Sequence, residues 1–154
     1  MLNEGQVAPD WAVTLVDGTT LSRGQMAGRA YVVYFYPKAD TPGCTNEAKD
    51  FSALGAAFAE AGVRVIGVSK DKATRIAKFA EKYGLTVTLG SDEGGHMIED
   101  FGVWVEKSLY GRRYMGIERA TFLFAADGRL VQQWRKVKVK GHVEAVLSRA
   151  IHGS

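Results

Sequence analysis

Tyr31-Val32-Val33-Tyr34-Phe35-Tyr36 is apolar or aromatic on both parities, the pattern of a strand buried on both faces of a sheet. Downstream, Ala48, Phe51, Leu54 and Phe58 recur at helical spacing between Thr45 and Ala61, and Gly62 stops the run. Val63-Arg64-Val65-Ile66-Gly67-Val68 reads as a second buried strand. A strand, a helix of about 15 residues and another buried strand form a right-handed crossover, so the two strands lie parallel.

Upstream, Trp11 to Val16 and Thr19 to Leu21 flank Asp17-Gly18 as an N-terminal β-hairpin. Asp71 to Tyr83 is helical, with Ile76, Phe79, Ala80 and Tyr83 on one face and Gly84 as the stop. Thr86 to Leu89 reads as a short strand and Met97 to Phe101 as a short helix. Thr121 to Ala125 and Leu130 to Val137 flank Asp127-Gly128 as a second hairpin. Val143, Val146, Leu147, Ala150 and Ile151 make the last amphipathic helix. The closing hairpin adds antiparallel strands, so the central sheet is mixed, with helices on both faces. This order predicts an α/β sandwich of thioredoxin-like type. Fold class alone says nothing about chemistry.

The chain of 154 residues is expected to form one domain, 1–154, with 46% hydrophobic residues ruling out a disordered chain. The longest apolar run, Tyr31 to Tyr36, is far short of the roughly 20 residues a membrane helix needs. Met1-Leu2-Asn3-Glu4-Gly5 lacks the charged and apolar regions of a signal peptide, so a cytoplasmic protein is expected. A net charge of +3 is too mild to name a partner. The single cysteine excludes an intramolecular disulfide and a cysteine-based structural zinc site. It leaves a reactive thiol open.

Cys44 lies in Pro37-Lys38-Ala39-Asp40-Thr41-Pro42-Gly43-Cys44-Thr45-Asn46-Glu47, between the C-terminal end of a buried strand and the first long helix. In open α/β sheets that edge is where ligand sites form. Thr41 reads as an N-cap with Pro42 at the first helical position, and Cys44 then sits in the first turn among unpartnered N–H groups. Thr45 is the other candidate cap; Cys44 stays at the helix mouth either way. A thiol of ordinary pKa is only about 3% thiolate at pH 7, and a helix N-terminus or a nearby cation raises that fraction. Glu47 pushes the other way if it faces the sulfur, so a nearby arginine is needed. A lone cysteine is most often a small buried hydrophobe; its setting at a helix mouth argues for reactivity.

Pro37-x-x-x-Thr41-x-x-Cys44, continued as Thr45-x-Glu47-Ala48, resembles the active-site signature of the peroxiredoxins, more narrowly of their bacterioferritin comigratory protein, or peroxiredoxin Q, subfamily. The likeness continues in order through Lys82-Tyr83-Gly84-Leu85, Ser91-Asp92, Tyr110-Gly111, Gly116-Ile117-Glu118-Arg119-Ala120-Thr121-Phe122 and Gly141-His142, from near Asn3 to near Ala150. The resemblance implies Cys44 as peroxidatic nucleophile and Thr41 as the hydroxyl that contacts peroxide and thiolate. It implies Arg119 as the arginine entering the pocket from the sheet, and Pro37 as the proline shielding it. Backbone N–H groups near Gly43 and Cys44 complete the expected pocket, and Thr41 is expected to cap the helix while donating its proton to that pocket. A thiol-dependent peroxidase with no cofactor is implied, acting on hydrogen peroxide or organic hydroperoxides, as a monomer with the dimer as the alternative.

The sequence departs from the subfamily at the resolving cysteine. The position five residues after Cys44 is Lys49, and the alternative place on the next helix, near Ala80, holds alanine. With one cysteine, an external thiol must attack the Cys44 sulfenic acid: thioredoxin, a glutaredoxin system or a small thiol. A peroxide sensor or thiol-transfer protein on the same fold is the rival reading.

His96, His142 and His152 lack ligand spacing and read as surface histidines, with no metal site expected. Ser91-Asp92-Glu93-Gly94-Gly95 reads as a turn, and no nucleotide-binding glycine motif occurs. Two basic stretches carry aromatics: Lys107, Arg112 and Arg113 with Tyr110 and Tyr114, and Arg135, Lys136, Lys138 and Lys140 after Trp134. Such interleaving occurs in single-strand nucleic-acid binders. Val137 and Val139 alternating with lysines read instead as a half-exposed strand with a solvated face, so no nucleic-acid partner is expected.

Overall fold

The computed structural model describes residues 2–152. Strands β1 (Ala12–Leu15) and β2 (Thr20–Ser22) form the N-terminal hairpin. The crossover consists of β3 (Ala30–Phe35), α1 (Pro42–Ala53), α2 (Gly55–Glu60) and β4 (Val63–Ser69). Then come α3 (Ala73–Tyr83), β5 (Thr88–Ser91) and α4 (His96–Asp100). The arm strands β6 (Trp104–Leu109) and β7 (Arg112–Ile117) follow. The chain closes with β8 (Ala120–Phe124), β9 (Leu130–Trp134) and α5 (His142–His152).

Seven strands form one sheet in the order β2-β1-β5-β4-β3-β8-β9. Strands β3, β4 and β5 run parallel, while β1, β8 and β9 pair antiparallel, so the sheet is mixed as its sequence predicts. On one face Val32 and Tyr34 pack with Phe51, Phe58, Ile76, Phe79, Val143 and Val146 from four helices. On the other, Val33 and Phe35 pack with Met97 and Ile98 of the short α4 and Phe101 just after it, together with Trp11 and Met26. Helices therefore cover both faces, unequally.

Tyr34 sits in register with Gly67 on β4 and Thr121 on β8, and stacks on Phe51 with ring centroids 4.4 Å apart. A Cβ at Gly67 would run into the Tyr34 ring, so glycine is required where that ring crosses the neighbouring strand. Gly67→Ala is expected to cost about 1–3 kcal/mol, the usual penalty of overpacking a core, read as a lower urea midpoint. A midpoint equal to wild type would show that the ring relocates freely.

Four local differences from the sequence expectation have physical causes. The first long helix starts at Pro42, as its cap predicts, but breaks at Leu54 (φ −96°, ψ 10°) into α1 and α2. Ser52 and Gly55 flank the break, the residue types at which helices kink. The Ser52 hydroxyl accepts the Thr86 and Val87 N–H groups at 3.1 Å, so the β5 ladder begins at Thr88 rather than Thr86. Strand β9 ends at Trp134: Lys136 takes a φ of 48° and donates its N–H to Glu118, so 135–140 is a loop and not the half-exposed strand expected. Finally, β6 and β7 form a separate two-stranded arm that sequence reasoning missed. Its turn, Tyr110-Gly111, has φ of 50° and 78°, the two positive values of a type I′ hairpin turn.

Candidate active site

The β3–α1 loop and α1 place Cys44 at the sheet's C-terminal edge, in the first turn of the helix. The first helical bond runs from the Thr45 N–H to the Thr41 carbonyl at 2.8 Å, so the Gly43 and Cys44 N–H groups precede the ladder. Cys44 is 1% exposed and Glu47, one turn on, is fully buried. Arg119, between β7 and β8, reaches in from the sheet. One of its guanidinium nitrogens, Nη2, donates to Cys44 Sγ at 3.4 Å; the other, Nη1, donates to Glu47 Oε1 at 2.7 Å. A Cβ at Gly43 would lie 3.1 Å from Arg119 Nη2, so glycine leaves room for the guanidinium across the helix mouth.

Burial acts against the charge on Arg119, but the Glu47 carboxylate and the Cys44 sulfur outweigh it and raise its pKa. Burial pushes the Glu47 carboxyl up to about 7, against the pull of Arg119. Glu47 is thus the anchor that orients Arg119, and its charge changes near neutrality.

Two expectations need correcting here. Thr41 is the N-cap by backbone geometry (φ −104°, ψ 154°) with Pro42 following, but its hydroxyl makes no capping bond. The hydroxyl donates to the Lys38 carbonyl at 2.8 Å, so its lone pairs, and not its proton, are available to a ligand. His142 is no surface histidine: it is 7% exposed, shares a 2.8 Å hydrogen bond with Thr121, and packs edge-on against Trp134. Burial, followed by the Arg119 charge, lowers its pKa to about 4.

The loop that carries Thr41 is pinned from behind by residues that no spacing in the sequence marks. Asp71 accepts the Ala39 N–H and the Ser69 hydroxyl, both at 2.8 Å, while Arg75 donates to the Ala39 carbonyl at 3.2 Å. Asp40, at a φ of 62°, accepts the Tyr83 hydroxyl at 2.6 Å and pairs with Lys82 at 3.0 Å. These bonds fasten the loop to α3. Pro37, half-buried at the end of β3, lines an open cleft with Lys38, Lys70 and Arg75. Lys49 is exposed and its ammonium lies over the Tyr83 ring, 5.1 Å from the centroid.

Glu47 and His142 give opposite pH dependences to stability. An unfolded glutamate titrates near 4.3, so between about 4.5 and 7 the folded chain holds one more proton than the unfolded one. Stability therefore falls as pH rises, by about 1.4 kcal/mol per pH unit. For His142 the unfolded chain holds the extra proton between about 4 and 6.5, so stability rises with pH at a similar slope. The two offset each other in wild type. Glu47→Gln is expected to leave a net rise from about pH 5 to 6.5, and His142→Asn a net fall, by urea unfolding. Variants whose profiles run parallel to wild type would overturn both assignments.

An arginine donating to a thiol at a helix mouth, on a thioredoxin-like sheet, is the electropositive setting of a cysteine-based redox enzyme. Residues 5–133 match the AhpC/TSA family. The chain is 46% identical to peroxiredoxin Bcp of Bacillus subtilis over 143 residues, covering 93% of this chain and 91% of that one. It is 41% identical to the Escherichia coli K12 protein of that name over 147 residues, covering 96% and 94%. Among solved structures, bacterioferritin comigratory protein of Xanthomonas campestris, studied for alkyl peroxide reduction, superposes with a TM-score of 0.86 at 43% identity, covering 91% and 89%. A Xylella fastidiosa peroxiredoxin Q cysteine-to-serine mutant superposes at 0.92 with 35% identity, covering 97% and 95%.

The chain belongs to the AhpC/TSA family and is a peroxiredoxin, a thiol-dependent peroxidase. The relatives favour this activity over thiol transfer or sensing. No described helix is long and apolar enough to cross a membrane.

Proposed function

We propose that Cys44 is the peroxidatic nucleophile, that Arg119, Thr41 and the Gly43 and Cys44 N–H groups form its transition-state pocket, and that recycling requires a thiol from another molecule. The 3.4 Å contact between Cys44 Sγ and Arg119 Nη2 carries this reading. The thiolate attacks one peroxide oxygen; the S–O bond forms as the O–O bond breaks, leaving a sulfenic acid and an alkoxide or hydroxide that takes up a proton. Negative charge leaves sulfur and builds on the departing oxygen. A guanidinium already held by Glu47 stabilises both ends without reorganising. The Thr41 oxygen, its proton engaged by Lys38, accepts from the peroxide hydroxyl and so orients it. Pro37 shields the loop side without offering a competing N–H.

With one cysteine in the chain, the sulfenic acid has no internal partner. Xanthomonas campestris peroxiredoxin Q, by contrast, has been solved with serine at either of two different cysteines. In this chain a first thiol condenses with the Cys44 sulfenic acid, giving a mixed disulfide and water. A second thiol displaces Cys44 as thiolate and leaves the reductant oxidised. Until the first thiol arrives, further peroxide oxidises the sulfenic acid to sulfinic acid.

Intact mass tests the cycle. Stoichiometric peroxide followed by dithiothreitol is expected to return unmodified mass, and excess peroxide without reductant to add two oxygens to Cys44. Absence of any oxygenated species at excess peroxide would sink this reading.

A further inference from the structure

The β6–β7 arm and the 135–140 loop, the two basic stretches of the sequence, meet beside Arg119. Strand β7 runs through Glu118 directly into Arg119. The Val137 N–H donates to the Arg119 carbonyl at 3.0 Å, and Glu118 is paired with Arg135 at 2.7 Å. Strand register decides what the arm presents. Lys107 lies opposite Tyr114, and Leu109 opposite Arg112, so these four share one face; Glu106 lies on the other, where it pairs with Arg113. Lys107 and Tyr114 both close over Gly116, where a Cβ would be 3.2 Å from one and 3.4 Å from the other.

This face adjoins the site through the chain itself, since Gly116 on it is followed within three residues by Arg119. Burial and then the Arg119 guanidinium lower the Lys107 pKa, while the Cys44 sulfur and Glu118 raise it, so Lys107 lies within electrostatic reach of the reacting groups. Leu109 and Tyr114 are 56% and 47% exposed, large apolar surface left in water on a narrow ribbon. Neither strand contributes an acid to this face, and exposed Lys136 and Lys138 continue the positive charge along the loop.

We propose that this face of the β6–β7 arm docks the protein that reduces Cys44: a partner with an exposed thiol in an apolar patch bordered by carboxylates. The inference rests on the peroxidase cycle above, in which the thiol comes from another molecule. An apolar centre edged by positive charge suits such a partner twice, through desolvation of Leu109 and Tyr114 and through electrostatic steering. Cys44 itself is 1% exposed, so a thiol reaches it only when the packing around it opens. A partner held on the adjoining arm is already in place when it does.

The test compares wild type, Leu109→Ser/Tyr114→Ser and Arg112→Glu in peroxide turnover with three reductants: dithiothreitol, thioredoxin with its reductase, and glutaredoxin with glutathione. Both variants are expected to keep the dithiothreitol rate and to lose about tenfold in kcat/KM for the protein reductant that serves wild type. The Arg112→Glu deficit is expected to shrink as salt rises, because screening weakens steering. Unchanged kcat/KM for thioredoxin and glutaredoxin would overturn the proposal. So would an equal loss with dithiothreitol, which would make the arm a support of the site itself. Wild-type turnover with dithiothreitol but with neither protein also overturns it. Sedimentation showing a dimer that the variants dissociate would assign the face to a second copy. Single-stranded oligonucleotide binding lost in Arg112→Glu, with protein-thiol rates intact, would assign it to a polyanion. Absence of wild-type dithiothreitol turnover strikes the peroxidase cycle instead, a result the arm variants cannot produce.

Discussion

Cys44→Ser is expected to remove peroxide consumption with every reductant. A serine hydroxyl is a weak nucleophile at neutral pH without an adjacent general base, and the side chain that hydrogen-bonds Cys44 is a donor, Arg119, itself held by Glu47. The Glu47 carboxylate is engaged by Arg119, and an oxygen at this position could not yield a sulfenic acid even as an alkoxide. The substitution is nearly isosteric, and Cys44 accepts the Arg119 hydrogen bond, so the fold should persist. Loss of peroxide followed by stopped flow, beside an unchanged circular dichroism spectrum, checks this. Near-normal consumption in Cys44→Ser would remove the assignment outright.

Arg119→Met is the second large effect. It should slow the peroxide step by about 10²–10³, the usual loss when one preorganised donor is removed. It also strands Glu47, which is fully buried and has Arg119 as its ion-pair partner. Breaking a buried pair by deleting one partner costs about 3–5 kcal/mol, with a pH dependence set by Glu47. Since burial already pushes that carboxyl up to about 7, losing Arg119 pushes it higher and Glu47 takes up a proton. The stability deficit should therefore be smaller at about pH 6 than at about pH 8. The Arg119→Met/Glu47→Gln double variant should recover stability and not rate, because an amide needs no counter-charge while the sulfur still lacks its donor. Recovery of rate along with stability would mean that Arg119 serves the fold alone.

Much of the architecture was legible because its signals are local. Tyr31–Tyr36 and Val63–Val68 declare buried strands, Gly84 (φ 61°) ends α3, and Thr41-Pro42 starts α1 where the sequence says. Resemblance pointed to Arg119, which by itself would read as a solvated charge before a strand. Other features have no local signal. A serine hydroxyl taking two N–H groups at 3.1 Å moved the start of β5. Glu118, by accepting Arg135 and Lys136, ended β9 early. The β6–β7 arm was missed because both its faces mix charge with apolar residues, though Tyr110-Gly111 was a turn signal in plain view.

The parallel crossover and the helix mouth at Cys44 follow from the sequence alone, and its single cysteine leaves no second thiol in the chain for an internal disulfide. Hydrophobic period, cap chemistry and a count of one are properties of neighbouring residues or of the whole composition. Only the tertiary structure decided that Arg119, 75 positions from Cys44, lies 3.4 Å from its sulfur, that Glu47 is its anchor, and that Thr41 turns its proton away. Charges and hydroxyls act through distance and burial, and both are set by the packing of separate strands and helices.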